Sequence, residues 1–154
     1  MAGEIEQRLS QLGVTLPVPA APAANYVPFV ITGNQLFVSG QISVSPDGTE
    51  YKGKLGAGLG VEDGQAAAKL CAISLLAQAK AALGDLDRIV RVVKLVGFVN
   101  SAPDFTDQPK VVNGASDFMV EVLADKGRHA RSAVGVAALP FGVAVEVEAI
   151  FEIA

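Results

Sequence analysis

The chain has one cysteine, one histidine and no tryptophan among its 154 residues, and only 18% of them are charged. A lone Cys71 excludes an internal disulfide, and its setting in the apolar run AAAKLCAISLL points to a buried structural thiol. With His129 as the only histidine, multi-histidine metal centres are excluded by count. A Cys/His nucleophile pair would require Cys71 to leave a helix core. Metal catalysis through carboxylates alone stays open, with no pattern in the sequence to support it. The first residues, MAGEIEQRL, carry acids and lack the apolar run of a secretory signal. No window holds the ~20 uninterrupted apolar residues of a membrane span. A net charge of −4 gives no global field for phosphate backbones, so nucleic acid is not the expected partner. A cytoplasmic protein acting on small molecules fits these absences best.

What is abundant is apolar surface. Hydrophobic residues make up 51% of a chain long enough for one domain, more than a single small core usually hides, so part of it is expected to meet another subunit. Residues 1–24 read as a short amphipathic helix (4–12, ended by Gly13) followed by the proline-rich connector LPVPAAPAA. Residues 25–154 read as an α+β domain. Strands are expected at 27–32 and 35–44, joined by the turn Thr32-Gly33-Asn34, with Ser45-Pro46-Asp47-Gly48 ending the second. A long alanine-rich helix is expected at 61–83, with Leu70, Ile73 and Leu76 or Ala77 along one face. A strand follows at 89–99, a second helix at 107–126 with Val111, Ala115, Phe118 and Val122 in one stripe, and strands at 132–138 and 143–153 joined as a hairpin.

The strand IVRVVKLVGFV is apolar at both parities, which predicts cover on both faces. With helices on one side, a second copy of the chain is the simplest cover for the other. The last strand alternates: Val143, Val145, Val147, Ala149, Phe151 and Ile153 form a core face, and Glu146, Glu148 and Glu152 point away. A hairpin register then puts Arg131, Ala133 and Gly135 on the glutamates' face and Ser132, Val134, Val136 and Ala138 in the core. An arginine there suits recognition of a small carboxylate, because paired N–H groups meet both oxygens at once, and a glutamate on the same wall could position or deprotonate a water. The competing reading is a solvated face with ordinary ion pairs.

The segment RSAVGVAALPFGVAVEVEAI resembles the C-terminal signature of the Rid family of reactive intermediate deaminases, also called YjgF-type or L-PSP proteins. LFVSGQI, VVKLVGFVN and DFTDQPKVVNGASDFMVEVL extend the likeness over nearly the whole chain after Asn25, and the wording looks like that of a divergent branch. The resemblance implies a chorismate-mutase-like fold, a mixed sheet backed by two long helices, with three chains forming a central barrel and clefts between subunits. It also implies cofactor-free hydrolysis of 2-aminoacrylate or its imine tautomers to a 2-keto acid and ammonia. Carried over by position, Arg131 would hold the substrate carboxylate, Glu146 would orient the attacking water or assist protonation, and Tyr26 would close the pocket. Ser39, Gly40 and Asn113 match cleft-lining positions. Ala133 stands where deaminases often have cysteine. The hairpin register leaves Glu148 nearer Arg131 than Glu146 is, so Glu148 is kept as a second candidate.

Two further signals carry less. The loop Gly56-Ala57-Gly58-Leu59-Gly60 fits neither phosphate-loop nor dinucleotide spacing and reads as a flexible connection. Lys126, Arg128, His129 and Arg131 form a basic cluster after a helix end, which keeps an endoribonuclease or translation-inhibitor reading as a third choice. A binding trimer that holds a small carboxylate without turnover is the second choice, and imine hydrolysis the first.

Overall fold

In a computed structural model the described residues are 3–19, 25–45 and 47–154. Part of the proline-rich connector (20–24) and Pro46 of the turn lie outside them. Helix α1 (Glu4–Gln11) buries Ile5 and Leu9. Asp87 caps it from far along the chain, its carboxylate accepting the N–H groups of Glu4 at 2.9 Å and Ile5 at 3.0 Å. Arg8 Nη1 donates to Val122 O at 2.7 Å, and Glu6 pairs with Lys80, so the segment is fastened to the domain rather than trailing from it.

The β-branched and aromatic runs form β1 (Phe29–Thr32) and β2 (Gln35–Ile42), with Gly33 in the turn at φ +57°. The glycine-rich loop folds into two short strands, β3 (Lys54–Leu55) and β4 (Gly58–Leu59). Helix α2 spans Val61–Leu83, as its composition predicts. Its core stripe differs from expectation: Ala68, Cys71, Ala72, Leu75 and Ala79 are fully buried, whereas Leu70 and Ile73 are partly exposed. Small side chains let the helix approach the sheet closely, and alanines spread around its faces leave little contrast by which its sequence reveals the inner one. Although α2 is long and apolar enough by composition to cross a membrane, it is the central core helix of this domain.

Strand β5 (Ile89–Asn100) leads into α3 (Gln108–Leu123), which ends in a short 3-10 turn, Ala124–Gly127. Val111, Ala115, Phe118 and Val122 of α3 are buried as predicted. Strands β6 (Ala130–Val136) and β7 (Val145–Ile153) follow. The main sheet runs β1-β2-β7-β5-β6, with β5 and β6 parallel and the other neighbours antiparallel. The fold is therefore α+β, a mixed sheet backed on one face by α2 and α3.

This topology corrects the hairpin expected at the C-terminus. β6 returns after α3 to lie parallel to β5, and the chain then crosses to the other side of β5 to form β7. The faces of β6 change with it. Arg131 is level with Leu95 and Ala149, Ala133 with Gly97 and Val147, and Gly135 with Val99 and Val145, all in the layer under the helices. Arg131, Ala133 and Gly135 thus lie on the helix-packed face, while Ser132 and Val134 share the bare face with Glu148 and Glu146. Alternation fixes which residues of one strand face together, but neighbour identity fixes which face that is. On β7 itself the reading holds, with Val145, Val147, Ala149, Phe151 and Ile153 buried and the glutamates outward.

Candidate functional site

At the β1–β2 edge the sheet has a defect. The β2–β7 register shifts between Val38 and Gln41, leaving Ser39 and Gly40 in a bulge. Ser39 is tied to the segment entering β1: its N–H donates to Pro28 O and its Oγ to Val27 O, both at 2.9 Å. Tyr26, one residue before that carbonyl, is exposed. The bulge makes room for Glu146. Any Cβ on Gly40 would collide with Glu146 Oε2, so the carboxylate rests against a bare Cα. Glu146 is half-buried, and burial, followed by the charge of neighbouring Glu148, pushes its pKa above the ordinary glutamate value. Glu148 lies one pleat along the same face and lines a cavity of about 350 Å³ with Ser39, Phe37 and Lys94.

At the opposite edge, α3 grips Arg131. Nη1 donates to Asn113 Oδ1 at 2.8 Å and to Ser116 Oγ at 3.2 Å, and Nη2 donates to Pro109 O at 3.3 Å. Positions 109, 113 and 116 fall on one helical face, which is why a single guanidinium reaches all three. A guanidinium has five N–H groups. These contacts engage Nη1 twice and Nη2 once, and among the described residues Nε–H and the second Nη2–H have no partner, a pair able to meet both oxygens of a carboxylate. Among the described residues no acid forms an ion pair with Arg131. Ala133 follows Arg131 on the same face, half-buried beside the core.

Ser116 is not among the candidates the sequence suggests, and His129, read there only as part of a basic cluster, proves to be its partner. His129 Nδ1–H donates to Gly127 O at 2.6 Å, and Nε2 accepts from the Ser116 hydroxyl at 2.9 Å. That tautomer follows because a carbonyl can only accept. Burial first, and then the charge of Arg131, holds the His129 pKa below its ordinary value despite the bond to Gly127, which keeps Nε2 an acceptor. The available signal was spacing: Ser116 is one turn from Asn113, and His129 is two residues before Arg131, just ahead of β6.

The candidate residues therefore fall into two groups on opposite faces of the sheet. Tyr26, Ser39, Gly40, Glu146 and Glu148 lie around β2 and the bare face of the central strand β7; Arg131, Asn113 and Ala133 lie at β6 on the helix-packed face. Neither glutamate shares a wall with Arg131 inside one chain, which overturns the expected common face, although Glu148, level with Ser132, remains nearer to Arg131 in register than Glu146, level with Val134. Cys71 is fully buried against the sheet with its thiol pKa pushed up by burial, an inert structural thiol. Among the described residues no cluster of three or more His, Cys, Asp or Glu could hold a metal ion.

Residues 6–152 match the family described as "YjgF/chorismate_mutase-like, putative endoribonuclease". Protein TCP17 of Trypanosoma cruzi is 55% identical over 153 residues, 99% of this chain and 96% of that protein. The crystal structure of Atu1372 from Agrobacterium tumefaciens superposes with a TM-score of 0.91 at 53% identity, covering 98% of this chain and 93% of that one. TdcF of E. coli with bound serine is more distant, with a TM-score of 0.64 and 28% identity over 89% of this chain and 94% of its own. With the mixed sheet, the two backing helices and the Arg131 signature all in place, this chain belongs to the YjgF/Rid family.

Proposed function

We propose that the protein assembles as a cyclic homotrimer in which Arg131 of one copy faces the Ser39–Gly40–Glu146 edge of the next, and that the cleft hydrolyses reactive enamine or imine acids to 2-keto acids and ammonia. The observation that carries this reading is Arg131, a cation held along one side by α3 that has, among the described residues, two N–H groups free and no acid paired to it. The complementary groups at the opposite edge support a head-to-tail contact, which closes into a ring when the rotation permits. The bare sheet face supports assembly too, since it leaves Val30, Phe37 and Val134 exposed beside the half-buried Val96 and Phe98. TdcF, a relative whose structure holds serine, supports a small amino- or keto-acid ligand.

In the proposed reaction Arg131 binds the carboxylate of the imine and fixes the distance of its imine carbon from Glu146 of the neighbouring copy. A water adds to that carbon: the C–O bond forms as the C=N electron pair moves to nitrogen. Glu146 takes a proton from the water and delivers one to nitrogen, and a raised pKa suits both halves of that shuttle. Collapse of the carbinolamine forms C=O, breaks C–N and releases ammonia. The test is direct. An amino-acid oxidase generates 2-iminopropanoate or 2-iminobutanoate in place, and decay is followed with and without protein; equal rates would remove the activity for those substrates.

Ala133, at the position where deaminases often carry cysteine, favours a second reading, carboxylate binding without turnover. Calorimetric binding of 2-oxobutanoate with no acceleration of imine decay would select it. RNA cleavage ranks third, because both ring nitrogens of the only histidine are committed to Gly127 and Ser116.

A further inference from the structure

The chain Gly127–His129–Ser116–Arg131 is a run of hydrogen bonds with a fixed direction. Gly127 O takes the proton of Nδ1, which leaves Nε2 as an acceptor. Nε2 takes the Ser116 hydroxyl proton, which leaves only lone pairs on Oγ. Those lone pairs face Arg131 Nη1. Without His129 the hydroxyl could rotate its proton toward the guanidinium, and the contact would turn repulsive. With it, Ser116 presents an acceptor to the cation at all times.

We infer that Ser116 and His129 are positioning residues that hold the Arg131 guanidinium in the orientation that leaves Nε–H and one Nη2–H free for a carboxylate. Ser116 Oγ and Asn113 Oδ1 occupy the two hydrogens of Nη1, and Pro109 O holds one of Nη2, so the plane of the guanidinium is set by α3. Pro109 contributes a carbonyl fixed by the helix backbone, and Asn113 its side-chain Oδ1. Ser116 is the one side chain of the set whose polarity is locked by a further residue. A guanidinium whose plane drifts keeps its charge but loses the bidentate geometry, so the effect belongs to affinity rather than to the chemical step.

This inference rests on the reading of Arg131 as the carboxylate anchor, and the experiment separates the two. Steady-state constants on 2-iminobutanoate are measured for the full-length assembled protein and for Ser116→Ala, Ser116→Thr, His129→Ala, His129→Gln and Arg131→Ala. Ser116→Ala and His129→Ala should raise KM about tenfold, the size of one lost charge-assisted hydrogen bond, with kcat changed less than about threefold. Ser116→Thr keeps the hydroxyl, and His129→Gln offers Oε1 where Nε2 was, so both should recover most of the loss, which a merely structural role would not predict. Unchanged KM in both alanine variants, with Arg131→Ala inactive, would overturn the positioning role and leave the anchor standing. Should the wild-type protein fail to accelerate decay, or Arg131→Ala behave like it, the functional reading fails instead. The positioning role is then judged by nitrogen-15 relaxation of the Arg131 Nε–H, ordered in the wild type and mobile in Ser116→Ala; equal order in both would end it.

Discussion

Arg131 and Glu146 stand on opposite faces of one sheet, on strands separated by β5. A site that uses both must take them from different chains. Arg131→Ala and Glu146→Gln should each abolish imine hydrolysis while leaving the oligomer intact. Mixed after dissociation and reassembled, the two dead variants should recover about a quarter of wild-type activity, because one in four head-to-tail contacts in a random ring joins two intact halves. The check is activity of the remixed sample against each variant alone; no recovery from confirmed mixed oligomers would place both residues in one chain's site.

Gly40 is required by contact rather than by backbone shape. Its Cα is where the Glu146 carboxylate rests, and a methyl group there would collide with Oε2. Gly40→Ala should lower kcat at least tenfold by displacing Glu146, while costing only about 1–2 kcal/mol of stability, since the obstructing atoms are the far end of a flexible side chain. Kinetics together with a denaturant titration separate the two effects.

Glu146 has its pKa raised in the folded protein, by burial and by Glu148. A raised carboxylate favours the folded state when protonated, so its contribution to stability is present below the unfolded value and lost as pH rises through the folded one. Glu146→Gln, permanently neutral, should therefore gain midpoint relative to wild type at neutral pH, the difference vanishing in acid. Activity should run the other way, falling as pH drops through the same raised pKa if the carboxylate is the base. Thermal melts and rates across pH 3–8 provide both curves.

Asp87 holds α1 onto the domain through the N–H groups of Glu4 and Ile5, and those bonds lower its pKa. The sign is opposite to that of Glu146: this stability is present above the unfolded pKa and lost as pH falls through the lowered folded one. Asp87→Ala should cost about 1 kcal/mol, typical of a lost cap, and speed amide exchange in α1 with little change in the sheet. Hydrogen exchange read residue by residue checks this, and uniform destabilisation would show that α1 is not a separate unit.

Much of the fold was legible because its signals are local. The alanine-rich run specified α2, the stripe Val111–Ala115–Phe118–Val122 specified the buried side of α3, and the two-residue alternation of β7 fixed its faces. Turn residues marked most of the boundaries. The candidates Tyr26, Ser39, Gly40 and Asn113 came only through the family likeness, and the residue types alone gave no more than an arginine and three glutamates close in sequence.

What the sequence determined by itself was the kind and length of each element and the parity of each strand, since both depend on backbone propensity and on neighbours a few residues away. Only the tertiary structure decided that β5 separates β6 from β7, because strand order is settled by long-range pairing that period-two alternation cannot encode. That one choice put Arg131 under α3 beside Ser116 and His129 and Glu146 on the other side over Gly40, and so separated residues that the alternation alone had placed on one wall.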